Sequence, residues 1–572
     1  MNDIYILGIH AGHDASVSLL KNGELIFASE EERYSKIKHH NGFPYEAIAH
    51  ALAYANITFD EVDYFAFSPY HTLDIKNLFY YISEASKMFK NLVKVYGFKE
   101  AKAVLKERMQ YHKIQKDKQK YQYNFDKNKS FSVDHHLAHV ASSYFCSGFD
   151  RCGFISWDYA GASISTTLGY ANNGEIFTKY KIGFPHSLGY LYAYITKYLG
   201  FNPWGGEGKV MGLAPYGKNV YDFGKIISLE GYTHKINPKY LNLIDFEKSF
   251  YDVDYIKFSP KIENFLGPHL KKFEFCERSA DIACSLQTKI EEIGLDMVKK
   301  LTKEFEIRNL CISGGLGLNC KLNGLILASG LADNIFVQPS ASDAGLSLGA
   351  ALYLHKKLYG KMNYKMEHVY YGDGFDNNEI EDALSERAFI YEKYNDITKV
   401  VAELLAEGNV VGWFQGRMEF GPRALGNRSI LADPRDEKIK DIVNKFKGRE
   451  LWRPLTPSFL IEEAENYLEN YKPSPFMTIT FKVKEDKIKE IPAVVHVDGT
   501  ARIQTVDKKT NPKYWKLINN LKKETGSPCV LNTSMNIAGM PIACTPDDAL
   551  FTMEKMGLDY MAIGDYLFQK ER

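Results

Sequence analysis

The densest chemistry in this chain lies in its C-terminal third. Arg417, Arg423 and Arg428 fall in Gly416-Arg-Met-Glu-Phe-Gly-Pro-Arg-Ala-Leu-Gly-Asn-Arg-Ser429, and Lys447, Arg449 and Arg453 in Lys447-Gly-Arg-Glu-Leu-Trp-Arg-Pro454. Arg502 closes His496-Val-Asp-Gly-Thr-Ala-Arg502. Guanidinium forks match the planes of phosphate and carboxylate, so such a cluster implies a polyanion. Leu531-Asn-Thr-Ser-Met-Asn536 adds amide and hydroxyl donors, Asn532 and Ser534 among them. The Gly-Pro, Gly-Asn and Arg-Pro turns between the cations favour a folded anion site over a solvated face.

A second constellation suits a metal. Val133-Asp-His-His-Leu-Ala-His-Val-Ala-Ser-Ser-Tyr144 has helical periodicity, and His135 and His139 are four residues apart. Both imidazoles then leave one face a turn apart, the spacing of two ligands to one ion. His136 points elsewhere and reads as structural. Carboxylates must complete the shell, and Asp158 and Asp343 stand on strand ends and loops expected at the same cleft. Imidazole with carboxylate favours iron, zinc or manganese over calcium.

The elements that carry these groups alternate strand and helix, as α/β domains do. Tyr5-Ile-Leu-Gly-Ile-His-Ala-Gly-His-Asp-Ala-Ser-Val-Ser-Leu-Leu leads through Lys21-Asn-Gly-Glu24 into Leu25-Ile-Phe-Ala. Gly153-Phe-Ile-Ser-Trp-Asp-Tyr-Ala-Gly-Ala-Ser-Ile-Ser-Thr-Thr repeats the plan, with Asn172-Asn-Gly-Glu175 as its turn. Each is predicted to be strand, polar loop, strand, Asn-Gly hairpin and strand. Leu310-Cys-Ile-Ser-Gly-Gly-Leu-Gly-Leu-Asn-Cys320 places Gly314, Gly315 and Asn319 at a helix start, where backbone N–H groups can approach a nucleotide. Two such halves resemble the actin/sugar-kinase/Hsp70 superfamily. Residues from about 72 to 130 read as a lysine-rich helical insertion, ending in Gln115-Lys-Asp-Lys-Gln-Lys-Tyr-Gln-Tyr.

Taken together, the C-terminal segments resemble the NodU/CmcH-type O-carbamoyltransferases, whose second domain is YrdC-like. Pro185-His-Ser-Leu-Gly-Tyr-Leu-Tyr192 and Gly206-Glu-Gly-Lys-Val-Met-Gly-Leu-Ala-Pro-Tyr-Gly217 match blocks of the same family. The resemblance implies ATP with Mg, carbamoyl phosphate and a carbamoyladenylate intermediate, and a hydroxyl acceptor whose identity the sequence does not carry. It implies a metal held by His135, His139, Asp158 and Asp343. On that reading Lys447, Arg453 and Arg502 take the phosphate and carbamoyl oxygens, with Asn532 and Ser534 as partners. Arg423 and Arg428 contact ATP or brace the loop. His13, in Gly12-His-Asp-Ala-Ser16, is the general-base candidate, with a loop hydrogen-bonding role left open. His10 is the weaker candidate. The run Asp158-Tyr-Ala-Gly-Ala-Ser163 departs from the family pattern at Tyr159 and Ala162, which bears on the acceptor pocket. The duplicated halves alone would also fit a sugar-kinase-type phosphotransferase or a non-catalytic nucleotide sensor.

Bulk properties set the frame. A chain of 572 residues is too long for one core. We expect an actin/sugar-kinase-like domain over 1–358, a junction near 360–366 and a YrdC-like domain over 366–572. With 45% apolar and 25% charged residues the composition is that of a globular protein. A net charge of zero argues against nucleic-acid binding. The absence of a long apolar run and of a basic leader points to a cytoplasmic protein with no membrane partner, and leaves room for a homodimer. Eight scattered cysteines without a Cys-x-x-Cys pair make a zinc knuckle or disulfide framework unexpected.

Overall fold

Apolar strands and tight Asn-Gly turns set the first sheet. β1 (Tyr5–His10) pairs antiparallel with β2 (Ser16–Lys21). Asn22 and Gly23 both take left-handed φ, +55° and +88°, the geometry of a two-residue hairpin, and β3 (Glu24–Glu30) follows. β4 (Tyr64–Phe67) lies parallel to β1, and β5 (Ser130–Ser132) parallel to β4. The computed structural model describes residues 3–68, 75–106, 123–248, 257–362, 364–385 and 391–569. Parts of the lysine-rich insertion, including residues 115–122, and residue 363 of the expected junction lie outside them. The insertion's described portion includes the helix Ile75–Tyr96.

The second half repeats this order. β6 (Arg151–Gly161) pairs antiparallel with β7 (Ile164–Asn172), and Asn173-Gly174 turns the chain into β8 (Glu175–Gly183). After a ribbon of β9 (Ile227–Glu230) and β10 (Thr233–Ile236), β11 (Asn309–Ser313) lies parallel to β6 and β12 (Asn334–Val337) parallel to β11. The order β2-β1-β4-β5 thus recurs as β7-β6-β11-β12, the duplicated plan expected of the actin/sugar-kinase/Hsp70 superfamily.

The chain divides into two units. Unit 1 comprises Met1–Glu24, Asn41–Tyr45 and Thr58–Lys365; unit 2 comprises Leu25–His40, Glu46–Ile57 and Met366–Arg572. In unit 1 the helix Leu346–Tyr359 packs on β1 and on the helix His135–Ser147. The approach is close enough that a Cβ on Gly349 would stand 1.8 Å from the Ala138 carbonyl oxygen.

Unit 2 is built on one mixed sheet. Its strands are β13 (Tyr391–Lys393), β14 (Val411–Phe414), β15 (Arg428–Ala432), β16 (Thr456–Leu460), β19 (Gln504–Val506), β20 (Cys529–Ser534), β21 (Tyr560–Ile563) and β22 (Tyr566–Gln569). They run in the order β13-β22-β21-β14-β15-β20-β16-β19. The helices Ile397–Ala406 and Pro512–Thr525 bury Val401, Leu405, Leu517 and Leu521 on it around Trp413. A separate ribbon of β17 (Thr480–Lys482) and β18 (Thr500–Arg502) carries Arg502. This α/β architecture is in keeping with the YrdC-like expectation.

The early segments of unit 2 are tied in by buried charge. Arg33 is 1% exposed, lies 3.3 Å from both Glu30 and Glu32, and donates to the Gly421 carbonyl at 2.7 Å. Gly421 N–H in turn donates to Glu30 Oε1 at 2.8 Å.

Candidate functional site

Two clusters of chemistry-bearing side chains stand out, one in each unit. In unit 1, Asp134 caps the helix His135–Ser147 by accepting from Leu137 N–H at 3.0 Å, which starts the helix at the first histidine. His135 and His139 then project one turn apart. β6 delivers Asp158 where its pairing with β7 shifts register between Trp157 and Gly161, a bulge that re-aims the side chain. Asp343 opens the turn Asp343–Gly345 that leads into the helix Leu346–Tyr359.

These four residues converge. His135 Nε2 lies 3.2 Å from Asp158 Oδ2 and 3.6 Å from Asp343 Oδ1, and His139 Nε2 lies 3.4 Å from Asp343 Oδ1. One ligand atom from each lies within 4.8 Å of the others. Ligands about 2.1 Å from a tetrahedral ion stand about 3.4 Å apart, so the spacing fits a transition-metal shell. Both ring nitrogens of His139 are buried and make no hydrogen bond. Burial disfavours its imidazolium, which leaves a neutral ligand. Burial and the neighbouring Asp158 push the Asp343 carboxyl up to about 7, whereas Asp158, despite its burial, is held low by the His135 hydrogen bond and His139. A cation between them would relieve that conflict. The donor set therefore fits the expected metal.

Several neighbours hold this quartet in place. A Cβ on Gly161 would come within 2.1 Å of His135 Cδ2, so only glycine leaves room for that ring. Gly314 takes φ +82°, and its missing Cβ would meet the Trp157 carbonyl oxygen at 2.1 Å. Gly315 N–H donates to Asp158 Oδ1 at 3.2 Å. Asn319 caps the helix Cys320–Ala328 and exchanges two amide hydrogen bonds with Gln287, at 3.1 and 3.0 Å. Gly314, Gly315 and Asn319, expected at a nucleotide, thus have visible duties toward the metal cluster and the helix start. His136 bonds the Ile164 carbonyl at 3.0 Å, the structural role expected of it.

His13 lies on the loop between β1 and β2, its side chain 30% exposed and 3.7 Å from Asp14. Its ring centroid is 5.0 Å from that of Trp204. His10, by contrast, is 1% exposed and engaged by Ser68 at 2.5 Å and the His13 carbonyl at 2.9 Å.

In unit 2 the cations separate into two groups. Lys447 is 3% exposed and donates to the Ser534 carbonyl, to the Asn536 carbonyl at 2.8 Å and to Asn536 Oδ1 at 3.1 Å. Burial, then the charges of Arg449, Arg453 and Lys38, push its ammonium well below the ordinary lysine range. Burial and the adjoining Arg453 and Arg502 likewise bring the Arg449 guanidinium down to about 9. Arg453 is lowered by burial and by Arg502. Lys38 adds its charge from a distance while its ammonium is paired with Glu32 at 3.1 Å.

The other group braces backbone. Arg428 is fully buried, stacks 3.7 Å from the Phe414 ring and donates to the carbonyls of Gln415, Gly416, Asn427 and Asp373. This geometry matches the loop-bracing alternative for Arg428. Arg417, expected to share the anion, donates to the Gly372, Tyr371 and Ile26 carbonyls and to Tyr54. Arg423 sits half-buried in the loop between β14 and β15. Asn532 is fully buried and donates to the Ala424 carbonyl at 3.2 Å and Ser458 at 3.0 Å. Ser534 donates to Asn536 Oδ1 at 2.6 Å, beside Lys447. Glu419, unremarked in the sequence, organises the arginine loop by accepting from the N–H groups of Leu425, Asn427 and Arg428.

Comparison with known proteins agrees with these two halves. The carbamoyltransferase N-terminus model matches residues 5–352 and the carbamoyltransferase C-terminus model residues 402–570. The chain belongs to the carbamoyltransferase family, of the NodU/CmcH type. It is similar to the nodulation protein NolNO of Sinorhizobium fredii, 35% identical over 98% of this chain and 79% of the other. Nodulation protein NolO of Bradyrhizobium diazoefficiens is 37% identical over 77% of this chain and 79% of its own length. The 3'-hydroxymethylcephem-O-carbamoyltransferase of Amycolatopsis lactamdurans is 34% identical over 46% of this chain and 49% of its own. Among solved structures, HypF of T. kodakarensis has a TM-score of 0.34 at 14% identity, covering 63% of this chain and 48% of that one, too remote to argue from. Among the described residues no helix is long and apolar enough to cross a membrane.

Proposed function

We propose that this chain is a two-step O-carbamoyltransferase. In unit 2, one water hydrolyses the mixed anhydride of carbamoyl phosphate to carbamate and inorganic phosphate, and a carbamate oxygen attacks the α-phosphorus of ATP, displacing pyrophosphate and leaving carbamoyl-AMP. In unit 1, an acceptor hydroxyl attacks the carbamoyl carbon, His13 takes its proton, and AMP departs. The observation that carries this reading is the convergence of Lys447, Arg449, Arg453 and Arg502: burial and mutual repulsion disfavour the charged forms of the first three, and Arg502 adds to that repulsion, a strain an anion would relieve.

Lys447, Arg453 and Arg502 hold the phosphate and carbamoyl oxygens, and Ser534 and Asn532 shape the pocket beside them. Such a closed cationic site retains a carbamate that water would otherwise destroy. A divalent ion on His135, His139, Asp158 and Asp343, with iron the first choice and zinc or manganese the alternatives, would neutralise the adenylate phosphate and so improve AMP as a leaving group. His13 is partly exposed, as a base that must reach an acceptor needs to be.

Pyrophosphate exchange tests the first step, since neither a phosphotransferase nor a nucleotide sensor of this fold would exchange pyrophosphate only when carbamoyl phosphate is present. His13→Asn tests the division of labour. The variant should still exchange pyrophosphate yet lose transfer by about 10²–10⁴-fold, the usual cost of a missing general base. Normal transfer by His13→Asn would make His13 a loop residue. Loss of exchange would instead overturn the assignment of the two steps to separate units.

A further inference from the structure

We infer that Trp204 and Tyr159 form a wall on which the acceptor's ring stacks, so that the preferred acceptor is a cyclic alcohol with an apolar C–H or aromatic face. The inference rests on the preceding reading that His13 meets the acceptor hydroxyl. Its first observation is backbone strain. Trp204 holds φ at +72°, a region that bulky side chains avoid, although Gly205 and Gly206 stand next to it in the sequence and would adopt it freely. The strained turn is fixed by Glu207, whose Oε1 accepts the Trp204 N–H at 2.9 Å. Strain kept on an aromatic beside available glycines indicates that the indole itself is needed there.

The second observation is where the indole lies. Its ring centroid is 5.0 Å from that of His13, with the planes inclined at 50°, and 4.9 Å from that of Tyr159, at 66°. Tyr159 directly follows Asp158 of the metal cluster. It is backed by Phe184 at 5.7 Å and its hydroxyl donates to Glu247 at 3.0 Å. Trp204 and Tyr159 are each only half-buried. A hydroxyl brought to His13 therefore carries the rest of its molecule against two flat faces. A ring fills such a wall with many dispersion contacts at little entropic cost, whereas an open chain must be ordered to do so.

Carbamoyl transfer to three probe alcohols tests this, using the full-length metal-loaded enzyme. Methyl β-glucoside presents an oxygen heterocycle, trans-1,2-cyclohexanediol a carbocycle, and ethylene glycol no ring. The wild type should show a lower KM for at least one cyclic probe than for ethylene glycol, and the better one says which ring chemistry the wall was built for. Trp204→Leu keeps apolar bulk without a flat face. It should raise the ratio of the cyclic KM to the ethylene glycol KM about tenfold, the scale of one aromatic contact. Trp204→Phe should retain most of the preference. An unchanged KM ratio in Trp204→Leu overturns the inference, as does a wild type that transfers to neither cyclic probe or favours ethylene glycol. Loss of carbamoyl phosphate-dependent pyrophosphate exchange in the wild type would sink the two-step reading instead.

Discussion

At the scale of single residues, much turns on groups that are uncomfortable without a ligand. Lys447 has its ionisation suppressed by burial and by Arg449, Arg453 and Lys38. Because its folded pKa lies below its unfolded one, the unfolded chain binds the extra proton, and Lys447 makes stability rise with pH between those two values. An anion seated beside it should restore the charge. Carbamoyl phosphate binding is thus expected with net proton uptake at pH values between the free and the anion-bound pKa of Lys447, read by calorimetry over a pH series in buffers of different ionisation enthalpy. Identical heats in all buffers would count against Lys447 as a phosphate ligand. Gly161→Ala makes a second residue-scale case. The new methyl would collide with the His135 ring, and metal affinity should fall about 10–100-fold, as when a supporting partner is lost. Metal analysis after dialysis checks it, with pyrophosphate exchange retained. Residue types and spacing in the sequence pointed to the histidine pair, because helical periodicity converts directly into a shared face. They could not separate Arg428 and Arg417 from the anion cluster, since burial and backbone bracing leave no mark on spacing. Glu419 escaped for the same reason, as an isolated carboxylate whose partners are backbone N–H groups.

Elements explain why the quartet is rigid. His135 and His139 ride on one helix, Asp343 immediately precedes another, and the two helices touch where Gly349 meets the Ala138 carbonyl. A side chain at Gly349 must push them apart. Gly349→Leu should cost about 3 kcal/mol or more in stability and also release the metal, because overpacking shifts backbone. A large fall in Tm with full metal occupancy would show that the two helices do not set the ligand geometry together. The hairpins of this unit were legible as strands and Asn-Gly turns, since left-handed φ at two successive positions selects those residues. The Trp157–Gly161 bulge that aims Asp158 was not, because the run Asp158-Tyr-Ala-Gly reads as an ordinary strand end.

On the scale of the whole molecule, the division into units is not a single cut. Leu25–His40 and Glu46–Ile57 group with residues 366 onward. Nothing in their composition announces it, for they continue the strand and helix pattern around them. Their attachment is ionic as well as apolar, through Arg33, Glu30 and Glu32. Arg33→Met would leave the buried Glu30 without its cation, at a cost of about 3–5 kcal/mol, while Glu32 keeps Lys38 at 3.1 Å. A fragment of residues 366–572 should accordingly be poorly folded and inactive in pyrophosphate exchange. A sharp, well-dispersed amide spectrum from that fragment would show that the early segments are dispensable.

That discontinuity also has a consequence for synthesis on the ribosome. Residues 25–57 emerge early, carrying Phe27, Ala28, Ile48 and Leu52, all buried in the finished protein. Their companions in unit 2 follow only after Thr58–Lys365 has been translated. At ~5–20 residues per second that wait lasts roughly 15–60 s. For that interval the nascent chain carries an apolar, charge-bearing segment whose later companions in unit 2 do not yet exist, and a holdase at the tunnel exit is the natural guardian of it. Depleting such chaperones should lower the yield of native protein more than it lowers the yield of a circular permutant that begins at Met366.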